Sequence, residues 1–150
     1  MLNLDEKDIK ILELLQSDAK LTTKEISKKT LMPITTIHNR IKKLEQEGII
    51  KNYTVNVDHK KLGKNLSAYI LIQVDSQKLK EIGTTQKELV KEIFSKDIVE
   101  STGIITGDFD VIAKVIARDM EHLDEFVTNY LRNLNGIKKT QTLAIFSELT

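Results

Sequence analysis

The chain has 150 residues, 40% hydrophobic and 30% charged, with a net charge of +1. That apolar content can bury the core of one domain or of two small ones, and it excludes a disordered tail. The absence of cysteine excludes disulfides and thiolate metal sites, and the three histidines (His38, His59, His122) are too scattered to form a metal cluster. The opening MLNLDEKDIK lacks a signal-peptide core, and no apolar run approaches the ~20 residues of a membrane span. A soluble, cytoplasmic protein is expected, with no membrane partner.

In chain order, Asp5 can cap a first helix running to about Gln16, with Ile9, Leu12 and Leu15 on one apolar side and Ile11 widening it. Thr22 and Glu25 have capping-box spacing, and Ile26 follows as an inward residue of a second, short helix. Thr30-Leu31-Met32-Pro33 ends that helix, because the residue before a proline is pushed out of the α region. Pro33 can open a third helix, in which Ile37, Ile41 and Leu44 recur as one buried stripe and Gly48 serves as the left-handed residue after its end. The other faces of this third helix carry Thr35, Thr36, His38, Asn39, Lys42 and Lys43. A short helix, a tight break and a helix with a polar, basic outer face is the helix-turn-helix layout. Residues 20–64 hold eleven Lys/Arg against four acids, a net of +7 that the rest of the chain offsets. Such a localised basic block is what phosphate neutralisation requires, although most amphipathic helix pairs bind no DNA.

Beyond Gly48 the pattern changes. Tyr53, Val55 and Val57 alternate with polar residues, which predicts a wing or a linker strand. The polar, glycine-containing run Asp58–Asn65 marks a domain boundary. Leu66–Val74 reads as a strand, and Thr85 with Glu88 caps a helix lined by Leu89, Ile93 and Phe94. Ile98–Ile105 and Phe109–Ala117 read as strands joined by the turn Thr106-Gly107-Asp108. Asp119 caps a helix with Met120, Leu123, Phe126, Val127, Tyr130 and Leu134 inward, and Ile137–Leu149 is a last strand. The expected fold class is therefore α+β: an N-terminal (winged) helix-turn-helix over residues 1–50, a linker strand or hinge over 51–65, and a ferredoxin-like βαββαβ α/β sandwich over 66–150. The apolar runs at 70–72 and 111–113 supply both faces of the sheet, so something must cover the face without helices, and a second copy of the chain is the simplest candidate.

Three stretches carry a family resemblance. LDEKDIKILELLQSDAKLTTKEISKKT resembles the first two helices of the Lrp/AsnC ("feast/famine") transcription regulators. IHNRIKKLEQEGIIKNYTVNVDHKKLG resembles their recognition helix and its exit into the hinge. TGIITGDFDVIAKV is similar to their effector-domain turn, with Gly107-Asp108-Phe109-Asp110 at its centre. The resemblance spans essentially the whole chain, with one departure: Pro33 stands where family members often place a capping Ser.

The resemblance implies a DNA-binding transcription regulator, activator or repressor, modulated by a small effector such as an amino acid. Its partners would be double-stranded DNA and further copies of itself, as a homodimer and then a tetramer or octamer, with no metal or cofactor. Pro33 and Ile34 would open the helix that enters the major groove, with Thr35, Thr36, His38 and Asn39 nearest base edges and Arg40, Lys42, Lys43 and Lys51 nearest phosphates. These residue types suit those tasks. A solvated helix face is the plain alternative for His38 and Asn39, and a salt bridge to Glu25 or Glu47 is the alternative for Arg40. The effector would meet Thr102, Gly103, Thr106, Gly107, Asp108, Phe109 and Asp110, together with Thr140 and Thr142. Glycine N–H groups can meet a carboxylate and an Asp an ammonium, but Thr-Gly-Asp is also an ordinary hairpin turn. The rival from another class is a family-like decarboxylase of haem biosynthesis. It would need His or Arg aimed at substrate carboxylates, and the second half offers only Arg118, His122 and Arg132 near one helix.

Overall fold

The computed structural model describes residues 4–147, and the chain divides after Val57 into two units. The first unit is three helices: α1 (Glu6–Ser17), α2 (Thr23–Thr30) and α3 (Ile34–Gln46). Two of them begin with reciprocal capping boxes, Asp5 with Asp8 on α1 and Thr22 with Glu25 on α2. Ile11, Ile26 and Ile37 are completely buried, one from each helix, with Leu15, Met32 and Leu44 around them. Ile9 was expected inside but is 44% exposed. The capping box sets the phase of α1, and Asp8 takes the inward place one residue earlier. At the end of α3, Gly48 is left-handed at φ 68°. There the Ile49 N–H reaches the Leu44 carbonyl and the Gly48 N–H reaches that of Glu45, a Schellman closure.

The expected linker strand does not form within one chain. Residues 51–58 carry no regular secondary structure, and Tyr53, Val55 and Val57 are exposed. The alternation is real, but a strand needs an edge to pair with.

The second unit is a four-stranded antiparallel sheet of β1 (Leu66–Val74), β2 (Val99–Ile104), β3 (Val111–Ala117) and β4 (Ile137–Ile145), ordered β2-β3-β1-β4. Residues 148–149, expected in the last strand, lie outside the described residues. Between β1 and β2 stand α4 (Ser76–Glu81), which the periodicity did not reveal, and α5 (Gln86–Phe94). The next helical run, α6 (Met120–Asp124), continues through a π turn (Glu125–Tyr130) into a 3₁₀ turn (Leu131–Asn133). The wider π repeat turns Leu131 fully inward, five residues after Phe126, and leaves Leu134 only partly buried. Phe94 and Met120, expected inside, are exposed because each ends its helix beyond the edge of the core.

The core lies on one side of the sheet, where Ala68, Ile70, Ile72, Val111, Ala113 and Val115 meet Leu79, Leu89, Ile93, Leu123, Phe126 and Leu131. The opposite face presents Tyr69, Leu71, Ile112 and Leu143, with Leu71 opposite Ile112 on β3 and Tyr69 opposite Leu143 on β4. Gly136, just before β4, has φ 95°, and a Cβ there would lie 2.2 Å from Leu79 Cδ2. Its carbonyl accepts from the Asp75 N–H at 2.8 Å, which ties α4 to the start of β4. Gly136→Ala should therefore destabilise the second unit by about 2–4 kcal/mol, combining overpacking with a strained φ. Urea unfolding checks this.

Candidate nucleic-acid interface

The break between α2 and α3 is held by side chains rather than glycine. Leu31 is left-handed at φ 58° although it has a Cβ, and its side chain is 92% exposed. Around it, the Ser27 hydroxyl donates to the Met32 carbonyl and the Thr30 hydroxyl to that of Ile26 at 2.8 Å. Pro33 is the N-cap of α3, with φ −59° and ψ 143°, and supplies no side-chain cap. The first-turn N–H groups of α3 therefore have no side-chain acceptor, and this end of the helix is electrostatically suited to an anion.

Burial of Ile37 and Leu44 fixes which way α3 faces. Pro33, Ile34, Thr35, His38, Asn39, Lys42 and Lys43 are exposed, and Thr36 and Arg40 are half-buried. Thr36, Asn39, Arg40 and Lys43 line one concavity with Asp5 and Asp8. Lys51 is not part of it and instead lines a groove with Leu12, Leu15 and Tyr53. The exposed Tyr53 hydroxyl donates to Glu45 at 2.8 Å, and desolvation together with that carboxylate pushes its pKa up to about 12.

Arg40 makes salt bridges, but not to Glu25 or Glu47. One guanidinium nitrogen lies 2.7 Å from both Asp5 Oδ1 and Asp8 Oδ1, and Asp8 is buried. Arg40 thus pins α3 to the N-terminus of α1. The Asp8 backbone N–H, and then Arg40, hold the Asp5 carboxyl below its usual range. The Thr22 backbone N–H and hydroxyl do the same for Glu25. The spacing Asp5-x-x-Asp8 was the available signal, since a carboxylate at the third helical position that also turns inward requires a cation.

The residues expected around an effector are spread over the second unit. Thr102 and Gly103 lie on the edge strand β2, while Thr140 and Thr142 lie on β4 at the other edge, three strand spacings of roughly 4.8 Å away. Thr106, Gly107 and Asp108 are exposed, with Gly107 at φ 121°. Asp110 is largely committed to the fold: its carboxylate accepts from the Val74 N–H at 2.7 Å, and its backbone N–H donates to the Ile72 carbonyl at 2.9 Å. This hook draws the turn over the end of β1, where Lys139 Nζ stands 5.8 Å from the Phe109 ring centre. The structure thus brings 106–110 to the start of β4 but leaves Thr102 and Gly103 apart from Thr140 and Thr142. Sequence reasoning missed Gln86, which donates to the Asp110 carbonyl, and weighed Arg132, which donates to Thr140, only for the decarboxylase. Of the groups a decarboxylase would need, His122 Nδ1 already accepts the Arg118 backbone N–H at 3.3 Å.

Known proteins match along the whole length. Residues 4–51 match a winged helix-turn-helix DNA-binding domain, and residues 67–150 match the Lrp/AsnC ligand binding domain. The HTH-type transcriptional regulator FL11 of Pyrococcus furiosus is 37% identical over 95% of this chain and 89% of its own length. Its namesake in Pyrococcus horikoshii is 34% identical over the same shares. A Neisseria meningitidis transcriptional regulator solved with L-Met superposes with a TM-score of 0.89 at 25% identity, over 99% of this chain and 93% of that one. AsnC from E. coli gives 0.84 at 27% identity, over 98% of this chain and 95% of that one.

Arg40→Ala should cost about 1–2 kcal/mol of stability, because it leaves the buried Asp8 carboxylate without its cation. A second outcome concerns pH. Asp5 and Glu25 titrate below their ordinary values of 3.8 and 4.5 when folded. Their contribution is complete above those values and is lost as pH falls through the folded ones. The thermal midpoint should be flat from neutral pH to about 5 and fall below about 4, less steeply in Arg40→Ala. Melting curves across pH read both.

Proposed function

The chain belongs to the Lrp/AsnC family of DNA-binding transcription regulators, and from that premise we propose that it is a homo-oligomeric, sequence-specific regulator whose second unit takes a small effector such as an amino acid. The observation that carries the DNA reading is α3. Its apolar stripe faces inward, its outer face presents Thr35, His38, Asn39, Lys42 and Lys43, and its first turn is left without a side-chain cap by Pro33. Asn39 suits bidentate contact with adenine, His38 and the threonines suit base edges, and Lys42 and Lys43 suit phosphates. Lys51 serves as a more distant phosphate contact. Arg40 acts first by fixing the angle at which α3 is presented.

Homo-oligomerisation is supported by the uncovered sheet face. Leu71 with Ile112 and Tyr69 with Leu143 form an apolar patch that no described helix of the second unit covers, and a second copy would meet it with the same residues. The effector reading is supported by the domain match, by the L-Met bound to the Neisseria regulator, and by the loop 106–110 reaching the start of β4. No observation favours the decarboxylase, and the named relatives are transcription regulators.

Replacing Lys42 and Lys43 together by Ala should weaken binding to all DNA sequences and reduce the slope of log affinity against log salt by about 2. Gel-shift titrations at several salt concentrations measure this, and an unchanged slope would remove both residues from the interface. Leu71→Lys should halve the assembly mass seen by light scattering while leaving the melting of the first unit intact. If the mass is unchanged, the sheet face is not the contact between copies.

A further inference from the structure

Three cations gather at and just before the start of β4. Arg132, Lys138 and Lys139 line one concavity with Ile137 and Thr140. Among the described residues, none of the three belongs to an ion pair. By contrast, the half-buried Arg40 and Lys114 are both paired.

The concavity is also shaped by the fold. The β1–β4 register slips between Gln73, which pairs with Lys139, and Val74, which pairs with Ile137, so Lys138 is left without a partner between them. A bulge of this kind re-aims side chains, and bulges concentrate beside functional sites. Arg132 follows the π turn, and its Nε donates to Thr140 Oγ1 at 3.4 Å. That bond orients the guanidinium while its two terminal nitrogens have no acceptor among the described residues. A planar fork with one nitrogen anchored is suited to a carboxylate, and two neighbouring ammonium groups add point charge. Lys139 also meets the Phe109 ring, so the cluster adjoins the loop 106–110.

We propose that this concavity holds a side-chain carboxylate, and that the effector is an acidic amino acid. The proposal rests on the effector reading above and narrows it. Thr140 belongs to both sets, so one ligand would span the basic concavity and the loop. Neutral and basic amino acids would leave three cations unanswered, which disfavours them by charge.

The test is calorimetric titration of the full chain with L-glutamate, L-aspartate, L-glutamine, L-asparagine, L-methionine and inorganic phosphate, at low and high salt. Parallel titrations use Arg132→Gln and Arg132→Lys. The expected result is that an acidic amino acid binds at least about 10-fold more tightly than its amide, and less tightly at high salt. Arg132→Gln should weaken the acidic ligand by about 10–100-fold and leave the amide unchanged, and Arg132→Lys should recover part of the loss. Arg132 is exposed, so both variants should melt as wild type does. Amides binding as tightly as acids would overturn the acidic specificity and leave the effector reading standing. So would full affinity of Arg132→Gln for the acid. If phosphate binds and no amino acid does, the acidic amino acid is excluded as ligand. Weaker DNA binding by Arg132→Gln with no small molecule present would assign the cluster to the DNA backbone and overturn the proposal. If none of these amino acids binds, the acidic proposal is overturned, and the effector reading then falls only if the remaining amino acids also fail to bind.

Discussion

Three isoleucines set the first unit. Ile11, Ile26 and Ile37 each come from a different helix, and none has any solvent exposure. With so few core positions, α3 has little freedom to rotate about its axis. Side chains three and four residues apart share a face, so fixing Ile37 and Leu44 inward also fixes Thr35, His38, Asn39 and Lys42 outward. Arg40 then limits the tilt by joining α3 to both acids of the α1 cap. The outer face of α3 is therefore presented by packing and by one buried ion pair. The orientation of that face is set by residues that lie behind it.

The second unit faces the opposite problem, because its sheet has helices on one side only. The covered side buries Ile70, Ile72, Val111 and Val115 completely. The other side keeps Tyr69, Leu71 and Ile112 only half-buried, and Leu143 is exposed. A monomer gains nothing from an apolar patch on this face, whereas the proposed two-fold pairing would bury it on both copies. Within this sheet Asp110 acts as a latch. Its bonds to Ile72 and Val74 anchor the loop 106–110 to the end of β1, so the loop is positioned by the central strand rather than by its own turn.

Most of the architecture was legible in the sequence because it rests on local signals. The capping boxes at Thr22 and Thr85, the proline after Met32 and the glycine after Glu47 each mark a boundary through chemistry within a few residues. What was not legible depends on distance or on an unusual repeat. The partners of Arg40 lie 35 and 32 residues away, and although the Asp5-x-x-Asp8 spacing signals that a cation is needed, it does not say which one. Leu131 was missed because a 3.6-residue period points to Leu134, and the π turn shifts the face. Helix α4 spans only six residues and has a single buried side chain, Leu79, too little to show as periodicity. The candidate effector residues were named from a resemblance along the chain. Sheet order then separates β2 from β4, which no linear reading exposes.

The segment after α3 limits how the two units can communicate. Residues 51–58 form no helix or strand, and the Tyr53 hydroxyl anchors them to the first unit by its bond to Glu45. A connection without backbone hydrogen bonds of its own transmits little torque, so a small shift near Gly107 would be absorbed before it reached α3. An effector can change DNA binding only by favouring one global arrangement over another. With no helix or strand in the connection, the proposed effector would act through the way copies assemble, since assembly sets the spacing of recognition helices without any stiff lever inside one chain. The alternating Tyr53, Val55 and Val57 fit this logic. They have the pattern of a strand but pair with no strand among the described residues, so a pairing edge from another copy would stiffen the connection only in the assembled state.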